Sequence, residues 1–318
     1  MERITRQARD VMQSGSRGLL ALCAGLAIAS ATAGVQPLQR TAAGHVATRV
    51  LVEGHGAALF NVDTGAGSSA LYETMRRRMR LAPVAGARIE MLGAAGMQLV
   101  ERYRLPGLSL AGVQATNLLV SGLPSGISHG KEVMGLLGRD VLSPYVVEFD
   151  LVGGRLGLHA PGTLPHSAHG WQRVPFRIRP NVGLIEFTAE LGGAKVRAVL
   201  DTGSGTSFVN WHAAGAAGVS PGAPGMLANK ASGGGATAHT FDFHTADFPE
   251  LEIGRTRLGR PRLSVADLPV FNALHMGNAP AMIVGLDVLG DRRFVVDYPA
   301  RQLLIERRPD PQAWVSAR

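Results

Sequence analysis

Apolar and polar residues alternate with a period of two along several short segments of the chain. The clearest examples are HVATRVLVEG at 45–54 and GLIEFTAELG at 183–192. Alternation of this kind predicts β-strands with one buried face. The second segment ends at Gly192-Gly193, a pair that suits a tight hairpin turn, and a return strand is therefore expected after it.

Helical periodicity is confined to short stretches. The pattern predicts brief helices at Tyr72–Arg80 and at Trp211–Ala217, the second capped by Asn210. Glycine-rich segments, MLGAAGMQ at 91–98 and ASGGGATAH at 231–239, are typical of hairpin tips. With 41 glycines and few helix-favouring residues, the predicted fold is all-β with short helices.

The order of these elements occurs twice. Asp-Thr-Gly follows an apolar strand at Asp63 and again at Asp201, 138 positions later. Further along, LLGRDVLSPYVVEFDLVGGRLGL (136–158) aligns without a gap with IVGLDVLGDRRFVVDYPARQLLI (283–305). The alignment pairs Gly138 with Gly285, Asp140 with Asp287, Asp150 with Asp297 and Leu158 with Ile305. We infer an internal duplication, each unit ending in a helix and a final strand.

The duplication sets the expected domain organisation. A chain of 318 residues is long enough for two lobes that each bury a core. We expect an N-terminal lobe at 45–160, a linker at 161–170 that is rich in Pro, Gly and His, and a C-terminal lobe at 171–309.

The N-terminus resembles an export signal more than a folded element. Four arginines precede the uncharged run GLLALCAGLAIASATAG, which ends in a small-x-small pattern at Ala31-Thr32-Ala33. We expect residues 1–33 to be a signal peptide, which makes the protein periplasmic or secreted. The alternative is a retained membrane anchor, because the uncharged stretch is just long enough to span a bilayer. That anchor would also leave the rest of the chain outside the cytoplasm.

Cysteine usage and net charge limit which covalent chemistry and which binding partners are expected. The single cysteine, Cys23, lies in the N-terminal segment, so disulfides and a thiol nucleophile are not expected in the mature chain. The net charge of +8 would suit association with anionic envelope polymers or membrane headgroups, and ordinary solubility is the simpler interpretation. MRRRMR at 75–80 lacks interleaved aromatic residues, so nucleic acid is not an expected partner.

The doubled Asp-Thr-Gly carries the candidate chemistry. Two such turns related by a pseudo-twofold axis would bring Asp63 and Asp201 face to face, where they would share one proton. The ionised member can then deprotonate a water while the protonated member donates to a carbonyl oxygen. This pairing needs no metal, and the ten histidines show no His-Glu-x-x-His spacing, so no cofactor is expected.

These motifs resemble the retropepsin-like aspartic proteases of bacteria, in the exported, single-chain, two-lobed form. In that family the Asp-Thr-Gly turn is joined by a downstream apolar-apolar-Gly segment, here Leu136-Leu137-Gly138 and Ile283-Val284-Gly285. The resemblance spans roughly residues 45–308 and implies two pseudo-symmetric acid protease lobes. It also implies an aspartic endopeptidase acting on extended peptides or proteins, with no dimer required to complete the site.

The resemblance implies a role for each matching residue. Asp63 and Asp201 would be catalytic, Thr64 and Thr202 would cross-brace the turns, and Gly65 and Gly203 would allow close backbone approach. Hairpins that close over the substrate as flaps would carry Gly93 and Gly96 in the first lobe and Gly233, Gly234 and Gly235 in the second.

Three departures from the family pattern concern substrate binding, and one of them is that the large flap Tyr of pepsin-like enzymes has no clear counterpart here. Arg139 lacks the acidic partner that retroviral enzymes often provide, and Asn61 replaces an apolar residue. Ser204 follows the second motif where the first has Ala66, and we expect its hydroxyl to hydrogen-bond Asp201 and keep that carboxylate ionised.

Two alternative functions accompany cleavage of ordinary peptide bonds, and one of them is hydrolysis of an unusual amide such as an envelope peptide cross-link. A folded peptide-binding or scaffold protein of the cell envelope could keep this architecture with little turnover. The recurring Asp140, Asp150, Asp287 and Asp297 are expected to serve as helix-cap or turn residues rather than as catalysts.

Overall fold

The computed structural model describes residues 34–94, 96–125, 132–180, 182–231, 241–290 and 292–307. The first half contains β1 (Gly34–Arg40), β2 (Val46–Val52), β3 (Gly56–Val62), β4 (Ala70–Tyr72), α1 (Glu73–Met79), β5 (Pro83–Gly93), β6 (Gly96–Leu110), β7 (Val113–Leu123), β8 (Val133–Leu137), α2 (Arg139–Leu142), β9 (Val146–Asp150) and β10 (Arg155–His159). A short 3-10 helix, His166–Ala168, follows.

The second half repeats the main elements of this order and adds short strands and a helix. It contains β11 (Gln172–Pro175), β12 (Arg177–Ile178), β13 (Ile185–Leu191), β14 (Ala194–Leu200), β15 (Phe208–Val209), α3 (Trp211–Ala216), β16 (Leu227–Ala231), β17 (Phe241–Asp247), β18 (Leu251–Ile253), β19 (Thr256–Arg257), β20 (Arg262–Val265), α4 (Pro269–Ala273), β21 (Ala281–Val284), α5 (Leu286–Leu289), β22 (Arg293–Asp297) and β23 (Gln302–Ile305). The predicted fold class, mainly β with short helices in two repeated lobes, is confirmed.

Each lobe is built around a hairpin whose second strand is joined by a distant parallel strand. In the N-terminal lobe, β2 pairs with β3 and β3 pairs in parallel with β8. In the C-terminal lobe, β13 pairs with β14 and β14 pairs in parallel with β21. The predicted hairpin turn at Gly192-Gly193 is confirmed, since both glycines have positive φ, which suits a tight turn. These hairpins end where the two Asp-Thr-Gly turns begin.

Six strands at one end of a 13-stranded sheet join the two halves of the chain. They run in the order β11-β23-β22-β9-β10-β1, and the central pair matches Phe149 of one half with Phe294 of the other. Their rings stack with centroids 4.6 Å apart. The expectation of one final strand per unit was wrong, because each terminal helix is followed by a two-strand hairpin. In the first half, Gly154 with φ of 61° forms the turn of that hairpin.

The capped helix of the second lobe is confirmed. The Asn210 side chain accepts a hydrogen bond from the backbone N–H of Ala213 at 2.9 Å and so satisfies one N–H at the start of α3. Across the residues described, no helix has the length and apolarity needed to cross a membrane.

Candidate active site

The two Asp-Thr-Gly turns lie at equivalent ends of β3 and β14. The backbone N–H of Asp63 donates to the carbonyl oxygen of Leu137 at 3.0 Å, and the N–H of Asp201 donates to that of Val284 at the same distance. The partner strands β8 and β21 therefore pass directly behind the turns. This backbone pairing fixes where each aspartate leaves its strand.

The two carboxyl groups meet where the turns face each other. The N–H of Gly65 donates to Asp63 Oδ1 at 2.8 Å, and the N–H of Gly203 donates to Asp201 Oδ1 at 2.9 Å. A Cβ atom on Gly65 would lie 2.4 Å from Asp201 Oδ1, and one on Gly203 would lie 2.4 Å from Asp63 Cγ. Each carboxyl group thus packs over the glycine of the opposite lobe, where any side chain would collide with it.

Thr64 and Thr202 exchange hydrogen bonds between the lobes. The N–H of Thr64 donates to Thr202 Oγ1 at 3.0 Å, and the N–H of Thr202 donates to Thr64 Oγ1 at 3.0 Å. The Thr64 hydroxyl donates to the carbonyl oxygen of Leu200 at 3.2 Å, and the Thr202 hydroxyl donates to that of Val62 at 2.7 Å. Both threonines are 1% exposed, so these four bonds are shielded from water.

Removing one of these hydroxyls should destabilise the protein. Thr64→Val keeps the shape of the side chain but leaves the buried N–H of Thr202 without its acceptor, which costs about 1–3 kcal/mol. We expect that loss in the free energy of unfolding measured with urea. Thr64→Ser, which keeps the hydroxyl, is the matched control, and equal stability of the two variants would contradict the assigned bonds.

Burial raises the pKa values of both aspartates. For Asp63 the largest cause is burial, followed by the negative charge of Asp201, and its pKa lies well above the ordinary value of 3.8. Burial also raises the pKa of Asp201, while a hydrogen bond from the Asp63 carboxyl group opposes that rise. The two carboxyl groups therefore titrate as one coupled pair that keeps a proton above the ordinary aspartate pKa.

These shifts make stability depend on pH in a defined direction. Between the ordinary aspartate pKa and the raised one, the folded chain binds more protons than the unfolded chain. The free energy of unfolding should therefore fall as pH rises through that window, and Asp63→Asn should flatten the fall. Urea midpoints over a pH series test this; equal slopes for wild type and variant would contradict it.

The Ser204 hydroxyl does not contact the carboxylate, which corrects the sequence-based expectation. Its Oγ donates to the carbonyl oxygen of Thr206 at 2.7 Å, within the same turn. Instead, the backbone N–H groups of Gly203 and Ser204 lower the pKa of Asp201 against the effect of burial. The side chain closes a local turn because its own backbone offers a nearer acceptor.

This local bond changes the expectation for the Ser204 variant. Ser204→Ala removes a hydroxyl that does not reach Asp201, and we expect the pH–rate profile of peptide cleavage to keep its shape and position. A displaced acidic limb in the variant would restore a direct role for the hydroxyl. Gly203→Ala is the useful contrast, since that change does contact the pair.

A second layer of matched residues supports the turns, and its two serines were not predicted from the sequence. Ser69 donates to Asp140 Oδ1 at 2.7 Å, and Ser207 makes the same bond to Asp287. The Ser69 hydroxyl also accepts from the N–H of Gly138 at 3.0 Å, and the Ser207 hydroxyl accepts from the N–H of Gly285 at 2.8 Å. Ser69 and Ser207 are separated by the same interval as Asp63 and Asp201, and that spacing was the signal available in the sequence.

The other recurring aspartates serve as turn residues. Asp150 accepts from the N–H of Gly153 at 2.7 Å, and Asp297 accepts from the N–H of Ala300 at 2.9 Å. Asp140 and Asp287 each accept from the next N–H in their short helices as well as from serine. The predicted turn role is thus confirmed for Asp150 and Asp297. The predicted cap role is wrong for Asp140 and Asp287, because glycines occupy the N-cap positions of α2 and α5 and the two aspartates bond the serines of the neighbouring turns instead.

Loops from each lobe reach the turn of the other. A Cβ atom on Gly67 would lie 2.5 Å from the carbonyl oxygen of Val182, and one on Gly205 would lie 3.6 Å from that of Ala43. Arg139 packs over Gly183 of the opposite lobe in the same region. The pair of carboxyl groups is therefore enclosed by segments from both halves of the chain.

The flap glycines predicted for the first lobe lie among the described residues, whereas those predicted for the second lobe do not. Gly93 and Gly96 are paired residues at the tip of the hairpin formed by β5 and β6. Next to them, Leu92 and Ala94 pack against an apolar cluster of the C-terminal lobe. Gly233, Gly234 and Gly235 lie outside the described residues. Among the residues that are described, no cluster of three or more His, Cys, Asp or Glu side chains is arranged to hold a metal ion.

Both halves of the chain match one known protein family. A family model described as aspartyl protease matches residues 48–141 and 187–288. The first match contains the turn at Asp63 and the second contains the turn at Asp201, as the internal duplication leads one to expect. No curated protein matches the chain.

Proposed function

Because the chain belongs to the aspartyl protease family, we propose that Asp63 and Asp201 together activate one water molecule for the hydrolysis of peptide bonds. The observation that carries this proposal is reciprocal contact between the turns. Each carboxyl group packs so closely over the glycine of the opposite turn that a Cβ atom there would lie 2.4 Å from it. Neither lobe alone would supply both an acid and a base.

Burial and the charge of Asp201 raise the pKa of Asp63, and this shift supports Asp63 as the proton donor and Asp201 as the base. The ionised Asp201 takes a proton from the water while the oxygen of that water bonds to the scissile carbonyl carbon. Asp63, protonated, gives its proton to the carbonyl oxygen, so the intermediate is a neutral gem-diol. As the C–N bond breaks, the proton on Asp201 passes to the leaving nitrogen and one diol proton returns to Asp63. The dyad is then restored without a metal or a covalent intermediate.

The substrate that fits this arrangement is an extended peptide segment. The β5–β6 hairpin reaches from the N-terminal lobe onto the C-terminal lobe, and strand-like substrates pair readily with such hairpins. A hairpin that closes over the substrate would exclude bulk water from the dyad. Gly93 and Gly96 would act as its flexible tip.

Peptide cleavage tests the proposal. The chain without residues 1–33 is incubated with a mixed peptide library from acidic to neutral pH, and new termini are identified by mass spectrometry. We expect cleavage that a statine-type peptide inhibits, because its tetrahedral hydroxyl mimics the attacking water. Binding of the inhibitor without any cleavage would favour the alternative of a peptide-binding envelope protein.

We also propose that the protein acts outside the cytoplasm after loss of its first 33 residues. The support is the charged, apolar and small-x-small order of the N-terminal sequence. N-terminal sequencing of the protein recovered from a periplasmic fraction should begin at Gly34. Recovery with the membrane and an intact N-terminus would favour the anchored alternative.

A further inference from the structure

Asn61 and Tyr72 form a buried polar pair in the N-terminal lobe. The side chain of Asn61, one of the departures from the family pattern, and the hydroxyl of Tyr72 are hydrogen-bond partners. The two residues are only 2% and 3% exposed. Tyr72 belongs to an apolar cluster against which Ala66 of the first active turn and Met91 of the β5–β6 hairpin also pack. Because polar groups are costly to bury in such surroundings, a role is expected for a pair that is kept there.

The polar pair lies on the same face of β3 as the first carboxyl group. Side chains alternate along a strand, so Leu59, Asn61 and Asp63 project to one side. The packing agrees, because Leu59 shares the apolar cluster of Tyr72 whereas Phe60 packs in the core on the other face. Burial raises the pKa of Tyr72, and the negative charge of Asp63 adds to that rise. The pair is therefore within electrostatic reach of Asp63.

The matching positions of the C-terminal lobe carry different chemistry. The interval of 138 residues between the two active turns matches Asn61 with Val199. The same interval matches Tyr72 with Asn210, and each of these two residues is the N-cap of a helix. Asn210 uses its side chain to cap α3, whereas Tyr72 makes no capping bond and its hydroxyl reaches Asn61. The second active turn thus has an apolar residue where the first has an amide.

We propose that Asn61 and Tyr72 are positioning residues for Asp63, which give the first carboxyl group a polar support that the second lacks and so make the two aspartates unequal. This inference rests on the proposed function, in which Asp63 donates a proton and Asp201 accepts one. Two similar turns alone give no reason for that division. Polar groups beside a buried carboxyl group favour its charged form, so the pair makes Asp63 the readier proton donor to the carbonyl oxygen.

Three titratable groups in the described part of the chain interact with Asp63. Asp201 acts on it from the opposite turn, and Tyr72 lies on its own face of β3. The third is Tyr298, which follows β22: burial raises its pKa, the charge of Asp63 adds to the rise, and Arg139 opposes it. Asp201, Tyr298 and Arg139 stay in place when the polar pair is changed. A shift in the titration of Asp63 in such variants therefore reports the pair.

The test compares the pH dependence of peptide cleavage in matched variants. Asn61→Val gives the first lobe the residue that the second lobe has, and Tyr72→Phe removes only the hydroxyl. Each should lower kcat by roughly 3- to 10-fold with KM unchanged, because Asp63 becomes a weaker acid. The basic limb of the kcat/KM profile should move to higher pH by about one unit, since the dyad holds its last proton more tightly. Tyr145→Phe, at a tyrosine whose pKa burial alone raises, should change neither.

The double variant, Asn61→Val with Tyr72→Phe, separates positioning from folding. Each single change leaves a buried polar group without its partner, which is destabilising, whereas removal of both partners is nearly neutral. Tm should therefore fall in the single variants and return towards the wild-type value in the double variant. The basic limb should stay displaced in the double variant, at least as far as in either single variant. A profile that returns to the wild-type position together with Tm would show a purely structural role and overturn the inference.

Carbon NMR of aspartate-labelled protein tests the pair without any cleavage. The carboxyl signal of Asp63 is identified by its loss in Asp63→Asn, and its titration should move to higher pH in the double variant. A titration that stays in place, or that Tyr145→Phe moves equally, overturns the inference. Wild-type protein that cleaves no peptide rejects the proposed function, and the titration then still decides whether Asn61 and Tyr72 act on Asp63.

Discussion

Replacing either aspartate of the pair with asparagine is expected to reduce peptide cleavage by about 10⁴-fold. In the proposed reaction, Asp63→Asn removes the proton donor to the carbonyl oxygen, and Asp201→Asn removes the base that takes a proton from water. The amide is close in size to the carboxyl group, so the two turns should keep their hydrogen bonds from Gly65 and Gly203. The measurement is kcat/KM for one cleaved peptide, with Tm recorded for each variant.

The control is Asp242→Asn, a change of the same kind at an exposed position on β17. It should leave kcat/KM for the same peptide close to the wild-type value. Full activity in Asp63→Asn or in Asp201→Asn, with the control behaving as expected, would show that the reaction does not need an acid from each lobe.

Gly203→Ala is expected to cause the second large loss, at least roughly 10²-fold in kcat/KM, because small displacements of reacting groups are costly. The new methyl group would lie 2.4 Å from Asp63 Cγ and 2.5 Å from both of its carboxyl oxygens. Real side chains do not approach this closely, so the Asp63 carboxyl group must move away from Asp201. The change adds no charge and removes no hydrogen bond.

The matched control is Gly205→Ala in the same turn. Its nearest contact would be 3.6 Å from the carbonyl oxygen of Ala43, an ordinary van der Waals distance, and the residue does not have positive φ. We expect near wild-type kcat/KM for Gly205→Ala at a similar Tm. Similar activity in the two variants would mean that the contact between Gly203 and Asp63 is not part of the working site.

The pairing of the turns could be predicted because the evidence lay in one repeated pattern. Asp63 and Asp201 have the same flanks, and a duplicated unit that closes around its own axis brings such positions together. The strands around them could also be predicted, since the alternation of apolar and polar residues and the Gly192-Gly193 pair are local signals. The cross-bracing by Thr64 and Thr202 followed from the family resemblance rather than from the pattern itself.

Other features could not be predicted from the sequence because they depend on non-local contacts or on the side-chain torsion angle of a single residue. The sheet that joins the lobes pairs Phe149 with Phe294, and nothing near either residue specifies that partner. The Ser204 hydroxyl had two plausible acceptors, and the local backbone geometry favours Thr206. The packing of Leu92 against the C-terminal lobe likewise requires the three-dimensional arrangement.

Some expectations stay predictions. The lobe boundaries at 45–160 and 171–309, the linker at 161–170 and export of the chain depend on the sequence pattern. The flap role of the glycine-rich hairpins also remains a prediction, with Gly233–Gly235 outside the described residues.

The most direct test of the central claim is a crystal structure of the protein bound to a statine-type peptide, with the distances from its hydroxyl oxygen measured. We predict that this oxygen lies within hydrogen-bonding distance, about 2.5–3.0 Å, of a carboxyl oxygen of both Asp63 and Asp201. A hydroxyl that contacts only one of the two aspartates, or a peptide bound away from both, would contradict a shared role for the pair.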